Sequence, residues 1–321
     1  MKLAYALQGA VESGLIFAIM AIGVYLTFRI LAFPDLTVDS SFTTGGAIAS
    51  VLIINGTNPV LASLAALGAG MLAGMCTGLI HTKGKINNLL SGIIMMIALY
   101  SINLRIMGRP NIPLLGEEGN LVTWMKNMLP TPFSFILTMA VVVLLIKVFI
   151  DWFLKTEIGL ALRATGDNPR MIRSLGVHTD QTIILGLSLS NGLVALSGAF
   201  FAQFQGSSDA AMGIGMIVIG LASVIIGESL FGTRSLFWTT AAVIGGAIVY
   251  RLVVAMALRI PGFEASDLRL ITAIIVIIAL TAPLYTERFK KRRISAKKTA
   301  ASKASGLATA DSHHLNKEEG A

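Results

Sequence analysis

Residues 7–28 read LQGAVESGLIFAIMAIGVYLTF, an apolar stretch with few polar interruptions. A helix of about 22 residues is about 33 Å long, enough to cross a hydrocarbon core of about 30 Å. Only Lys2 precedes the stretch as a basic residue, and no clear small-residue cleavage site follows it. We therefore interpret it as a retained first transmembrane helix and not as a signal peptide.

The rest of the chain repeats this pattern. Apolar residues make up 55% of the 321 residues and charged residues only 13%, against about 45–50% and about 25% in soluble domains. This composition excludes a water-soluble protein and predicts an all-α polytopic membrane protein. The apolar segments are 7–28, 42–55, 59–80, 88–107, 130–150, 182–204, 212–228, 235–258 and 268–285.

Two of these segments are too short to span a bilayer. Segments 42–55 and 212–228 would cover only about 21 and about 25 Å as helices. We expect both to be broken or half-buried helices. Interrupted helices in transporters tend to line the path of the solute.

Short sequence matches relate the two ends of the apolar region at nearly constant offsets. The members of each pair lie five segments apart in chain order, which is an odd number, so they should have opposite orientations. We therefore predict an inverted repeat over about 7–107 and about 182–285, with a solute site near the midplane. Chance similarity between apolar, Gly-rich segments is the alternative. The pairs are Gly14-Leu15 with Gly192-Leu193, Gly56-Thr57 with Gly232-Thr233, and Met96-Ile97-Ala98-Leu99 with Ile277-Ile278-Ala279-Leu280.

The basic residues predict an orientation. If the long loop 151–181 is cytoplasmic, most Lys and Arg residues of the loops lie on that side, as the positive-inside rule requires. The N-terminus is then outside and the C-terminus is in the cytoplasm. Five basic residues remain at or near the outer face: Arg105, Arg109, Lys126, Arg259 and Arg269.

The excess positive charge is concentrated at the C-terminus. Residues 287–321 hold nine Lys or Arg and four Asp or Glu, which is +5 of the net charge of +8. We expect a disordered cytoplasmic tail here, following a transmembrane domain at 1–286. Its basic cluster should touch anionic lipid headgroups. The charge therefore predicts no nucleic-acid partner.

The sequence carries no enzyme motif. The stretch Lys83-Gly84-Lys85 lacks the upstream Gly and the following Ser or Thr of a phosphate-binding loop. His313 and His314 have no nearby Cys or further His, so we interpret them as solvated residues of the tail. We expect a chain that is not an enzyme and that binds no cofactor or metal.

Polar residues inside the apolar segments are candidates for the path, because a charge in the bilayer needs a partner or water. A polar cluster precedes each short segment, and its Asp could instead cap the helix that follows. Arg251 would pair well with Glu12 or Asp209. The candidate path residues are Asp39, Ser40, Ser41, Asn191, Ser207, Ser208 and Asp209.

The interior loop contains a turn, Gly166-Asp167-Asn168-Pro169, between two helical pieces. Either Asp167 or Asn168 could cap the helix that Pro169 begins. In that helix one face would carry Met171, Ile172 and Leu175, and another would carry Arg170 and Arg173. Such a helix could dock a soluble partner or could lie on the membrane surface without one.

Two stretches resemble a known family. Arg163-Ala164-Thr165-Gly166-Asp167-Asn168-Pro169, followed by Gly176-Val177, is similar to the coupling loop of bacterial ABC importer permeases of the branched-chain amino acid, ribose and nucleoside type. The Pro34-Asp35-Leu36-Thr37-Val38-Asp39-Ser40 stretch resembles the subgroup associated with binding proteins for tryptophan or other aromatic amino acids. The resemblance covers roughly residues 6–285.

The resemblance implies a permease subunit in the bacterial inner membrane that moves a small organic solute inward. It implies a second permease copy, most simply in a homodimer, an extracytoplasmic solute-binding protein, and ATPase subunits that hold ATP and Mg. The residues it places at the ATPase are Glu157, Arg163, Gly166, Asp167, Asn168, Pro169, Arg170, Arg173 and Gly176.

A secondary transporter driven by a proton or sodium gradient is the alternative. In that case Asp39 and Asp209 would carry the coupling ion.

Overall fold

The computed structural model describes residues 2–114, 121, 124–125, 133–259, 270, 272–274, 277 and 281. Within them seven helices are long and apolar enough to cross a membrane. The protein is an all-α, multi-pass membrane protein, as predicted. Its helices are α1 (Lys2–Tyr25), α2 (Thr37–Ile54), α3 (Pro59–Thr82), α4 (Asn88–Met107), α5 (Ser134–Phe153), α6 (Glu157–Asp167), α7 (Pro169–Ser174), α8 (Thr179–Gln205), α9 (Met216–Phe231) and α10 (Leu236–Ala257).

Helix α8 lies at the centre and packs against α1, α2 and α3. The Ser190 hydroxyl donates to Gly23 O at 2.6 Å, and the Ser197 hydroxyl donates to Ile16 O at 2.8 Å. These contacts make α1 and α8 antiparallel. An inverted repeat requires that orientation of its first helices, although the repeat itself stays a prediction.

Small residues let α3 approach α8 closely. A side chain at Gly74 would overlap the backbone oxygen of Leu187, and one at Gly70 would overlap that of Asn191. Close backbone approach through small residues is a common way to join helices in a membrane, where lipid and side chain are equally apolar.

Helix α2 differs from the predicted short segment 42–55. It begins at Thr37, not near residue 42, and its 18 residues make it a helix of spanning length. The prediction was wrong because the cluster from Asp39 to Ser41 was taken to precede the helix, whereas it lies inside it. The chain is interrupted earlier, by a π-helical turn at Leu26–Ile30 and by Ala32, which has φ 52°.

Helix α9, with 16 residues, is short as predicted. It does not follow the second polar cluster directly. Residues Ser207–Asp209 form strand β2, which pairs antiparallel with β1 (Asn111–Pro113) and places Asn111 opposite Asp209. This small sheet joins the end of α4 to the end of α8.

A buried ion pair that the sequence analysis did not single out fixes α5 against α10. Lys147 Nζ lies 2.5 Å from Asp151 Oδ2 within α5, and it sits 3.4 Å from the centre of the Phe237 ring. Thr240 of α10 donates to Asp151 Oδ1 at 2.7 Å. The pair is nearly inaccessible, so each charge is satisfied by its partner and by the second helix.

The predicted tail 287–321 lies outside the described residues, as does most of segment 268–285. The predicted loop 151–181 holds α6 and α7 between α5 and α8. Segment 130–150 is shifted, since its helix α5 runs from Ser134 to Phe153.

Candidate functional site

Local caps shape the loop between α5 and α8. The Thr156 hydroxyl accepts from Gly159 N at 3.3 Å at the start of α6. The Asn168 side chain accepts from Met171 N at 3.1 Å, and Pro169 is the first residue of α7. The predicted cap is therefore confirmed, with Asn168 in that role and Asp167 as the last residue of α6. Gly176, with φ 88°, allows the turn after α7.

The apolar side chains of this loop are divided between the protein core and the surface. Ile172 is buried, whereas Met171 and Leu175 are 51% and 69% exposed. The prediction that these three form one face is thus only partly right, because Ile172 anchors the loop. We call the exposed surface the docking face, and it consists of Ile158, Leu160, Arg170, Met171, Arg173 and Leu175.

The loop contacts the end of α1 directly. A side chain at Gly166 would overlap the backbone oxygen of Ile30, so the glycine permits α6 to touch the π-helical turn. Arg173 donates to the Thr179 hydroxyl at 2.7 Å and lies 3.6 Å from Asp180, which holds α7 on the start of α8. Glu157 is exposed in the first turn of α6.

A polar pocket of about 200 Å³ lies where α1, α6, α9 and α10 meet. Inside it Arg29 Nε lies 2.9 Å from Glu228 Oε1, and this ion pair joins the π-helical turn after α1 to the last turn of α9. The other lining residues are Tyr25, Ile30, Arg163, Asp167, Thr233 and Thr239.

Asp39 caps a helix, but not its own. Its carboxylate accepts from Gly215 N at 2.9 Å and from Ile217 N at 2.8 Å, at the start of α9. Next to it Thr43 Oγ1 accepts from Gly213 N at 3.1 Å. The N-cap of α2 is Leu36, with no side-chain bond. Asp39 thus joins α2, in the first half of the chain, to the start of α9 in the second half.

The predicted path serines have different surroundings. Ser40 donates to Met96 O of α4 at 2.8 Å, and Ser208 is buried with its hydroxyl 3.8 Å from Met212 Sδ. Ser41 is buried, and its hydroxyl has no hydrogen-bond partner within the part of the chain that the structure describes. Ser207 is half-buried in β2.

Asp209 does not cap α9 as predicted. It accepts from Ala211 N at 2.8 Å in the turn after β2, and Asn111 Nδ2 lies 3.4 Å from its other oxygen. Asp209 is too far along the chain to act as this N-cap, because α9 begins only at Met216. Ser207, Ser208 and Asp209 still lie close to α2, since β2 packs against that helix.

Asn191 belongs to a separate polar cluster. It donates to Asp35 Oδ2 at 2.6 Å, and Thr37 N donates to Asp35 Oδ1 at 2.9 Å. Because Asn191 lies near the middle of α8, the start of α2 lies at that depth as well. Two buried amide oxygens, those of Asn191 and Asn103, lack a partner among the described residues. Asn103 was missed, although an amide inside the apolar segment 88–107, away from its start at Asn88, was a signal.

Arg251 pairs with neither predicted partner. Its Nε donates to the Ser13 hydroxyl at 3.0 Å, and its guanidinium lies 4.8 Å from the centre of the Phe17 ring. Glu12 accepts instead from Gln8 at 3.0 Å. The cation is therefore held by a hydroxyl and an aromatic face.

The whole described region is similar to known permeases. Residues 6–281 match the family described as branched-chain amino acid transport system permease component. A tyrosine transport system permease protein of Clostridioides difficile is 46% identical over 83% of this chain and 87% of its own length. A ribose import permease protein of Escherichia coli is 28% identical over 68% of this chain and 67% of its own. A probable branched-chain amino acid transport permease of Methanocaldococcus jannaschii is 25% identical over 76% and 78%. No solved structure matches the chain.

Proposed function

Because the chain belongs to the family of branched-chain amino acid transport system permease components, and so is the membrane subunit of an ABC importer, we propose that its solute is an aromatic amino acid. A permease component is not itself catalytic. The observation that supports this solute is the 46% identity to a tyrosine transport system permease over most of both chains. The sugar permeases among its relatives are much less similar.

We propose that an ATPase subunit binds the docking face and supplies ATP hydrolysis, with ATP and Mg held on that subunit. The support is the combination of exposed Met171 and Leu175 with exposed Arg170 and Arg173, on a loop that is anchored by buried Ile172. Exposed apolar side chains beside exposed cations suit a partner that offers an apolar pocket and acidic residues. This face would be cytoplasmic, with the N-terminus outside and the C-terminus inside.

We also propose an extracytoplasmic solute-binding protein at the opposite end, and a second permease copy across the path in a bacterial inner membrane. The path would pass the contact between α2 and the segment before α9. Asp39 is half-buried there, and the buried Ser41 hydroxyl has no hydrogen-bond partner among the described residues; both support this position. The residues assigned to the path are Asp39, Ser40, Ser41, Asn191, Ser207, Ser208 and Asp209.

Uptake by the complete transporter tests the solute. The permease would be reconstituted in proteoliposomes with its ATPase and binding protein, and uptake of labelled tyrosine, leucine and ribose would be compared with and without ATP. We expect ATP-dependent uptake of tyrosine above that of the other two. Uptake of ribose or leucine alone would contradict the aromatic solute, and uptake that follows an ion gradient without ATP would favour the secondary transporter.

A further inference from the structure

We infer that α9 is a strut that transmits movement of the docking face to the path, with the Arg29–Glu228 ion pair at one end and the Asp39 cap at the other. The inference rests on the proposed function, because it assigns the two ends of α9 to the ATPase side and to the solute path.

At the docking end the contacts form a continuous series. Gly166 of α6 touches the backbone of Ile30, and the adjacent Arg29 holds Glu228 in the last turn of α9 at 2.9 Å. The π-helical turn at Leu26–Ile30 that presents Arg29 is a rare conformation, which recurs at functional positions. A displacement of α6 therefore reaches α9 through two direct contacts.

At the path end α9 rests on α2. Asp39 accepts from Gly215 N and Ile217 N, and Thr43 accepts from Gly213 N. A side chain at Gly213 would overlap the backbone oxygen of Asp39, so the two backbones touch. If α9 moves along its axis, it must therefore either break these hydrogen bonds or move Asp39 and Thr43 of α2 with it, at the proposed path.

Between its ends α9 packs through glycines. A side chain at Gly220 would come within 2.7 Å of Val24 of α1, and one at Gly227 would overlap the backbone oxygen of Ala242 of α10. Packed helices can make small sliding movements along one another. Larger side chains share these interfaces, since Val224 and Met216 are buried in the hydrophobic core, so any shift of α9 would be small.

The Arg29–Glu228 pair is poorly suited to a purely stabilising role. The Arg29 side chain is 58% exposed and that of Glu228 is 15% exposed, so water reaches the cation and weakens what the pair adds to stability. The pair adds little stability, yet it joins α9 to the π-helical turn that touches α6. It is therefore best explained as a contact that positions α9. Both residues are positioning residues, since neither is placed on the solute.

The first experiment uses the complete transporter in proteoliposomes and measures solute imported per ATP hydrolysed. Glu228→Arg should lower this ratio by about tenfold, within the usual range of coupling between sites, while ATP hydrolysis persists. The double exchange Arg29→Glu with Glu228→Arg should restore it. Arg234→Gln, an exposed cation just beyond α9, is the matched control. An unchanged ratio in Glu228→Arg, or no recovery in the double exchange, would overturn the inference.

A second experiment needs no transport. In a Cys76→Ser background, Met212→Cys places a thiol on the segment that packs against Gly46 and Ser208. We expect Glu228→Arg, at the far end of α9, to raise the rate of thiol labelling at this position, and the double exchange to reverse that rise. Equal labelling in the parent and in both variants would show that the ends of α9 are independent. Failure to import tyrosine would refute only the proposed solute.

Discussion

The contact between the loop 151–181 and the π-helical turn after α1 depends on the absence of a side chain at one glycine, Gly166. Gly166 is half-buried, and its backbone lies against Ile30 O. Its φ is not in the left-handed region, so the requirement is space and not backbone freedom. The residue type therefore follows from a neighbour more than a hundred residues earlier in the chain.

Gly166→Ala should displace α6 from the π-helical turn, since the added methyl group overlaps backbone atoms. We expect a cost of about 1–3 kcal/mol, the usual range for overpacking, and a fall in solute imported per ATP. Thermal unfolding in detergent and coupled transport assays would measure both. Gly68→Ala, at a helical glycine with open space around it, should leave both unchanged; a loss there equal to that at Gly166 would contradict the steric explanation.

Ser41 and Ser50 offer a matched pair on α2, because both are buried and both hydroxyls lack partners among the described residues. If Ser41 binds the solute or its water, Ser41→Ala should lower uptake by about fivefold, which corresponds to one hydrogen bond of about 1 kcal/mol. Ser50→Ala should keep normal uptake. Uptake kinetics in proteoliposomes would measure the difference. Equal uptake in the two variants would show that the path does not pass Ser41.

At the scale of elements, α6 and α7 act as one unit because each is capped locally and both are anchored by buried side chains. Leu162 of α6 and Ile172 of α7 point into the protein. The cations Arg170 and Arg173 lie on the outer surface. The unit therefore presents a defined surface even though α7 has only 6 residues.

Arg170→Glu should weaken binding of the ATPase and lower transport by about tenfold, because it places an acidic group where the partner is expected to be acidic. Co-purification of the ATPase and uptake would be measured together. Lys83→Glu, an exposed cation in the connection from α3 to α4, controls for the change in net charge. Full binding and full transport in Arg170→Glu would exclude α7 from the docking face.

At the scale of the molecule, the helix ends define two opposite surfaces. The docking face, Arg29 and Glu228 belong to one end. The small sheet of β1 and β2 joins the other ends of α4 and α8. Which of these surfaces faces the cytoplasm follows from the basic loop residues and so remains a prediction.

Labelling of cysteines in intact cells tests this orientation. In a Cys76→Ser background, Arg109→Cys, beside β1, should react with an impermeant thiol reagent added outside, whereas Ser174→Cys at the end of α7 should react only after lysis. Arg109 and Ser174 are both exposed, so access to the two thiols differs only by side of the membrane. The reverse pattern would put the docking face outside the cell.

Features that depend on neighbouring residues were predictable from the sequence. The spanning helices follow from the length of apolar runs, and the Asn168 cap of α7 follows from the Asn-Pro pair, because a cap bonds to a backbone group three residues away. The two helical pieces of the loop 151–181 were predictable for the same reason. The start of α2 was missed because Asp39 and Ser40 are polar, and so the apolar pattern begins only after them. The helix nevertheless begins at Thr37 and includes both residues.

Only the tertiary structure decided which polar groups meet. Asp39 bonds to residues 176 and 178 positions away, Arg29 bonds to Glu228, and Asn191 bonds to Asp35. No local pattern encodes these partners, since each pair depends on how separate helices pack around α8. Inside a membrane a polar group bonds to whichever partner packing brings near, because no water is there to satisfy it. The sequence therefore determined the apolar helices and the Asn168 cap, and packing determined the contacts that join α6 to the π-helical turn, that turn to α9, and α9 to α2.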